Sequence, residues 1–410
     1  MEKKINLILV ILYVLIGFLP NFGAVDRIAT QWVYLNIISL LSGVFFLKYS
    51  CYDISAYVFK NKPLLLFLIF TLWALLSIAY SINVNESIIS VIRLLSIFIA
   101  GLMLGAHLLK IENLKHLIVW VILPILIIET LFPFYRLIQI INAIGNYSFQ
   151  YANDLETFTP NKNITAAILS GHLGFVFIIK YYLKKWEILL LLLVSLSASM
   201  VFFISARASI IGIIMSLVLI LFLTLIKAKE NTKYVVKVIA FIFLGFLIST
   251  LVVGSSSNLS LQNRLTTINT EDTSTNERLR YYKHGLDHIV SNPLIGIGIG
   301  NWKQKSIEYD KLNIRSYIVP YHLHNDFLQY GTEMGILATL LYLLIFLWIL
   351  IINVKRMDKN YFLSCSLILA ISILFFDSNF NFPHHRPIMM VFFIFIISLT
   401  ELNRRTQIEK

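Results

Sequence analysis

Charge is what this chain most lacks. Only 14% of its 410 residues are Asp, Glu, Lys or Arg, where soluble domains carry about 25%. So few charges cannot coat a water-soluble surface of this size, which excludes an ordinary soluble enzyme or binding module. Acidic residues are the scarcer sign, 22 against 34 Lys and Arg. Cysteine is nearly absent: Cys51 falls in a connecting segment and Cys365 inside an apolar run, so no shared outer segment offers a disulfide. There is no internal repeat and no low-complexity tract, which leaves solenoid and fibrous architectures without support. The first apolar stretch has a charged start but no small-residue cleavage site after it, so it reads as a retained span.

What is present is apolar length. Hydrophobic residues make up 58% of the chain, and a span needs about 20 of them in succession. Windows of that kind lie near 5–20, 31–47, 63–80, 88–109, 117–133, 164–183, 188–204, 208–226, 234–253, 329–352, 361–376 and 388–401. The expectation is an all-α integral membrane protein of about 12 transmembrane helices. Residues 1–253 carry the first nine, 254–328 form one long loop domain, and 329–410 hold the last three and a tail. With the amino terminus inside, the inner segments hold 18 Lys and Arg, while the short outer ones hold Arg27, Arg136, Lys162, Arg207 and Arg386. That asymmetry puts both termini in the cytoplasm. The net charge of +12 is then mostly a topology signal, and no nucleic-acid partner is expected.

Polar residues crowd the outer ends of the apolar runs. Such residues are costly at membrane depth unless buried in protein or facing a water-filled cavity, so their clusters are candidate sites. The densest is His324 to Ala338, where His324, Asn325, Asp326 and Glu333 precede an apolar run. Asn325 or Asp326 as a helix cap, and Glu333 as an ion-pair partner, is the plainer alternative. Arg207 sits among small residues in the short turn Ser205-Ala206-Arg207-Ala208-Ser209, and a guanidinium there suits phosphate oxygens. Arg93, early in the fourth run, either snorkels or faces a polar cavity. The aromatics Tyr147, Phe149, Tyr151 and Phe158 of the segment 132–163 suit an interfacial belt or sugar stacking.

In the long loop, residues 275–290 read as an amphipathic helix, with Leu279, Tyr282, Leu286 and Ile289 on its apolar face and Thr275 or Asn276 as cap. Arg278 and Arg280 lie on it. Gly296, Gly298 and Gly300 follow, but without the strand and spacing of a nucleotide-binding turn. They read as a tight turn returning the loop to the membrane. His284 and His288 have metal-chelating spacing without an evident third ligand, so no metal is expected. The last outer turn, 377–387, brings Asp377, His384, His385 and Arg386 to the same side.

These residues resemble the O-antigen ligase and polymerase superfamily of bacterial envelope glycosyltransferases. Its ligases carry His followed by Asn, Ser or Gln, nine residues, then Gly-x-x and a Gly, Thr or Tyr. Here His324-Asn325, the nine residues 326–334 and Gly335-Ile336-Leu337 fit, and Ala338 departs at the last position. Arg207, Arg278 and the string Pro293-Leu294-Ile295-Gly296-Ile297-Gly298 also match, in order and on one side of the membrane.

The resemblance implies a GT-C-like architecture and a metal-independent, inverting transfer on the periplasmic face of the bacterial inner membrane. The donor would be a glycan on undecaprenyl diphosphate. The acceptor would be a lipid A-core sugar hydroxyl in a ligase, the growing glycan in a polymerase, or a protein hydroxyl in an O-oligosaccharyltransferase. A flippase or other transporter is the alternative of another class. The outer segments hold no Asp-x-Asp and only Glu308-Tyr309-Asp310 as a loose carboxylate pair, so arginines rather than a metal are expected to stabilise the leaving diphosphate. His324 is expected to act on the acceptor hydroxyl, and Arg207 and Arg278 to bind the diphosphate, with Arg280 and Arg93 behind them. Asn325 and Asp326 would hold the His324 ring or the sugar. Asp377 would border the same cavity or pair with Arg386.

Overall fold

The computed structural model describes residues 2–20, 22–26, 28–49, 54–159, 161–253, 273–313 and 319–409. Arg27, Cys51 and the first residues of the long loop, 254–272, lie outside the described residues. Among them, eleven helices are long and apolar enough to cross a membrane, and no strand occurs. A shorter apolar helix, α1 (Lys4–Phe18), precedes α2 (Ala29–Lys48), α3 (Lys62–Tyr80), α4 (Val84–Leu108), α5 (Leu114–Ile144) and α6 (Lys162–Tyr182). Then come α7 (Lys184–Ile204), α8 (Arg207–Lys227) and α9 (Lys229–Val253). The long loop carries α10 (Thr273–Ser291), α11 (Trp302–Asp310) and α12 (Asp326–Met334). Helices α13 (Ile336–Arg356), α14 (Tyr361–Phe380) and α15 (Pro387–Arg405) close the chain. The protein is an all-α, multi-pass membrane protein.

The bundle is centred on its last helix. Mean hydropathy of α15 is only 1.5, yet 94% of its apolar window is buried. The low hydropathy comes from polar residues that join neighbouring helices. Asn403 donates to Asn353 at 2.8 Å and to Ser364 at 3.0 Å, and Asn360 donates to Asn403 at 2.8 Å. Similar ties link Thr130 to Ser197 and Glu129 to His172, each at 2.7 Å. Between helices in lipid, where no hydrophobic drive favours association, such bonds hold the packing.

Three boundaries differ from the sequence reading. The apolar run 329–352 is two helices, because Gly335 has φ +82° and breaks the helix between Met334 and Ile336. A side chain there would collide with the Leu294 carbonyl. Helix α5 runs past Pro133 to Ile144, and Gly145 in the left-handed region ends it. In α10, which begins at Thr273, the packed face is rotated: Gly285 lies against Leu323 and Thr332, while Leu279 and Leu286 are exposed.

The glycine turn anchors the loop to the bundle. Ile297 and Gly298 donate to the carbonyls of Thr332 and Glu333, at 3.2 and 2.8 Å. The Glu333 carboxylate accepts from the amides of Gly300 and Trp302, at 2.9 and 3.1 Å. On its other side the turn is stitched to α3 and α4 through Asn301, Ser77 and Ser87. Gly298 and Gly300 have φ +87° and +78°, with Ser81 and Ser90 where a Cβ would stand. These amides serve Glu333 and the backbone, which leaves no phosphate cradle.

Candidate active site

His324 sits just before α12, with φ +59°. Asn325 is extended and caps α12 by accepting from the Leu328 amide at 3.0 Å, so the capping alternative describes Asn325. The Tyr282 hydroxyl on α10 donates to the His324 carbonyl at 2.9 Å and to the Asn379 carbonyl at 3.1 Å. One tyrosine thus ties the histidine backbone to the end of α14.

The His324 side chain lines a cavity of about 100 Å³ with Asn161, Asn163, Ile164, Asp377, Asn381, Phe382, Pro383 and Arg386. Four separate stretches contribute: the start of α6, the end of α14, the turn after it, and the segment before α12. Burial pushes the imidazole down to about 4, and the Arg278 guanidinium nearby works in the same direction. Its Nδ1 is buried with no hydrogen-bond partner among the described residues. The ring is therefore neutral at physiological pH.

Arg278 donates from Nη1 to the Phe380 carbonyl at 3.1 Å, which places its guanidinium at the end of α14 beside His324. Among the described residues no carboxylate pairs with it. Asp377, buried near the end of α14, accepts from Asn381 Nδ2 at 2.5 Å. No ion pair joins it to Arg386 among the described residues. Instead the Arg386 guanidinium lies 5.0 Å from the Phe382 ring centre, with a buried Nε that has no partner among the described residues. Burial lowers the Arg386 pKa from its ordinary value, the cost of holding a cation in this wall.

Other expected site residues stand elsewhere. Asp326 is wholly buried and does not hold His324. Its Oδ1 lies 2.5 Å from Nδ1 of His384, and its Oδ2 accepts from the His384 amide at 3.4 Å. Burial raises the Asp326 carboxyl, while His384 opposes that rise. Arg280 is taken up by Asp310 through two bonds of 2.5 and 3.0 Å, which removes its fork from phosphate binding. Arg93 faces a different small cavity, with Trp32, Ser90, His384 and His385, and its guanidinium lies 5.6 Å from the Trp32 ring. Arg207 begins α8 half-buried, after a turn at Ser205 with φ +55°. It does not line the His324 cavity, although α8 packs along α14, Gly212 lying against Ile373 and Phe376.

Of the aromatics in the segment before α6, Tyr147 and Phe149 are buried in the protein, Tyr151 is partly buried and Phe158 is exposed. Tyr147 donates to the Phe203 carbonyl at 2.8 Å, and Phe158 packs at a tilt against Phe18 and Phe132. His284 stacks on Tyr309, whose hydroxyl is 2.7 Å from Nδ1 of His288. Among the described residues no group of three or more His, Cys, Asp or Glu could hold a metal.

The sequence reading missed several neighbours. Asn161 and Asn163 carried no motif, only their place at the mouth of a span. Arg386 was placed on the same side, in the last outer turn and as a possible partner of Asp377, but not as a cavity residue. His322 was passed over, though it stacks on Phe382 at 4.1 Å and lies 4.2 Å from His385. Burial, then His384 and His322, holds His385 well below the ordinary imidazole range.

Fold and cavity define a class: a polytopic membrane protein with a polar cavity, lined by His324, Asp377 and Arg386, at one end of its bundle. Residues 190–343 match the family model described as O-antigen ligase, so that stretch is similar to this family. The match contains Arg207, Arg278 and His324 and ends before Asp377 and Arg386. No curated protein matches the chain.

Proposed function

We propose that the protein transfers a glycan from a polyprenyl diphosphate to a sugar hydroxyl, as an O-antigen ligase with a GT-C-like architecture. In this reading the donor is linked to undecaprenyl diphosphate and the acceptor is lipid A-core. The site faces the periplasm from the inner membrane, with both termini cytoplasmic. The observation that carries the proposal is the cavity shared by a neutral His324, Asp377 and Arg386, with Arg278 held at the adjoining end of α14 by the Phe380 carbonyl. An apolar groove of about 240 Å³ supports a lipid-linked donor. Leu219, Leu343, Phe346, Phe375 and Phe376 line it, on α8, α13 and α14, and Phe376 is the residue before Asp377.

The chemistry follows from the residue types. The acceptor hydroxyl attacks the anomeric carbon from the face opposite the diphosphate, the bond from carbon to phosphate oxygen breaks, and configuration inverts. Arg278 and Arg207, joined by Arg386 in the cavity wall, take the charge that builds on the leaving diphosphate. His324 accepts the hydroxyl proton or orients the hydroxyl. A neutral ring suits both roles and disfavours His324 as a cationic phosphate ligand, since burial opposes the cation. Asp377 steers the acceptor or orients Arg278.

The test is transfer by purified protein in detergent, with donor and acceptor supplied. Activity without a sealed bilayer is expected, and it excludes a pure flippase. In a deletion strain, lipid-linked polymer accumulating beside bare lipid A-core is the expected ligase outcome. Single repeats on the core would identify a polymerase instead.

A further inference from the structure

Helix α10 is moored at both ends to the membrane spans. Near its start Arg278 donates to the Phe380 carbonyl, and Tyr282 to the Asn379 carbonyl, both at the His324-side end of α14. Just past its other end the Pro293 carbonyl accepts from the amide of Ile336, the first residue of α13, at 2.8 Å. A helix tied at both ends to the mouths of two neighbouring spans lies across the bundle end.

Among the described residues, one side of this helix has no protein on it. Leu279, Lys283, Leu286 and Val290 follow each other at helical spacing and fall within an arc of about 60°. Leu279 is 53% exposed, Leu286 48% and Val290 79%, and the chain continues through Leu294 at 73% and Ile295 at 56%. The Leu294 carbonyl abuts Gly335, and beyond it Ile336, Leu337, Leu340 and Leu344 are the exposed apolar surface of the span α13. The stripe is thus continuous with a surface that lipid covers. Large apolar side chains clustered in water carry an unfavourable free energy of about 25 cal/mol per Å², and such patches mark a binding surface.

We propose that α10 is an interfacial helix, its stripe seated in the acyl boundary of the leaflet on the His324 side and Lys283 reaching the headgroup phosphates. It then forms the upper rim of the apolar groove between α13 and α14, and the leaflet fixes the depth of Arg278. The docking follows from geometry alone; its consequence for donor binding rests on the transferase reading.

Nitroxide labels on Leu286→Cys, Val290→Cys and, on the opposite side, Glu277→Cys would measure this. Cys51→Ser serves as background, since Cys365 is buried. The full chain is reconstituted in phosphatidylcholine and phosphatidylglycerol vesicles, and relaxation by oxygen is compared with relaxation by a water-soluble nickel complex. Oxygen should dominate at 286 and 290, and nickel at 277. Nickel dominance at 286 and 290 overturns the proposal, and shielding from both reagents assigns the face to a protein partner or a second copy. Because the reading is depth and not activity, loss of the transferase assignment would leave it measurable.

Discussion

His324 and His384 both border the turn that carries Phe382, and they are equipped in opposite ways. His384 has a buried carboxylate on its Nδ1 and a ring packed 4.7 Å from Tyr330. His324 has no such partner among the described residues, a positive φ, an arginine nearby and a polar cavity in front of it. A clamped imidazole holds a fold, while an unclamped one beside a cavity is available to a substrate. The contrast also shows that nearness in sequence misassigns partners. Asp326 is two residues from His324 and serves the other histidine across the turn.

The largest expected effect is on the unclamped side. His324→Ala should lower transfer by about 10²- to 10⁴-fold, the usual worth of a positioned proton acceptor, with donor binding nearly intact. Parallel loss of donor binding would make His324 a phosphate ligand and erase the contrast. Arg278→Lys keeps the charge but loses the fork, so transfer should fall about tenfold to a hundredfold; full activity would remove Arg278 from the diphosphate site. On the clamped side, Asp326→Asn should act through stability, costing about 1–3 kcal/mol as a buried bond is weakened. Thermal unfolding in detergent reads this, and an unchanged midpoint together with lost transfer would make the His384 pair catalytic. Asp377→Asn should reduce transfer severalfold at normal expression, and unchanged transfer would restrict Asp377 to its bond with Asn381. The smallest effect on transfer is expected for Arg280→Gln. Arg280 is partly exposed but its partner Asp310 is buried, so the loss should cost about 1–3 kcal/mol of stability while leaving the transfer rate per folded molecule unchanged.

Much of this was legible in the residues because a membrane imposes simple rules. Long apolar runs declared the spans, and polar residues at one set of span ends declared the side on which a site would form. What the runs concealed were interruptions decided by one residue. Gly335 splits an apolar stretch in two because the loop carbonyl of Leu294 passes too close for a side chain. The face of α10 was misread for a related reason. Periodicity located an apolar stripe, but two apolar surfaces compete for it, protein and lipid, and Leu279 and Leu286 turn away from the protein. His324 and Asp377 line one cavity, and Arg278 is bonded to the carbonyl of Phe380 beside it. Arg280 was lost to Asp310, thirty residues away, a pairing that no local pattern announces.

The central claim is that His324 works as a neutral group, and the acid limb of transfer tests it most directly. In the folded protein its proton binds only near pH 4, against about 6.5 in an unfolded chain. Between those values the unfolded state binds more protons, so folding stability falls as pH drops through that window. An ordinary imidazole would be about nine-tenths protonated at pH 5.5, whereas His324 would still be neutral. The single-turnover transfer rate of folded protein, followed from pH 7.5 to 4.5, should therefore hold level to about pH 5 before it declines. A fall of about fivefold between pH 6.5 and 5.5, absent in His324→Gln measured the same way, would show an ordinary imidazole and contradict the account.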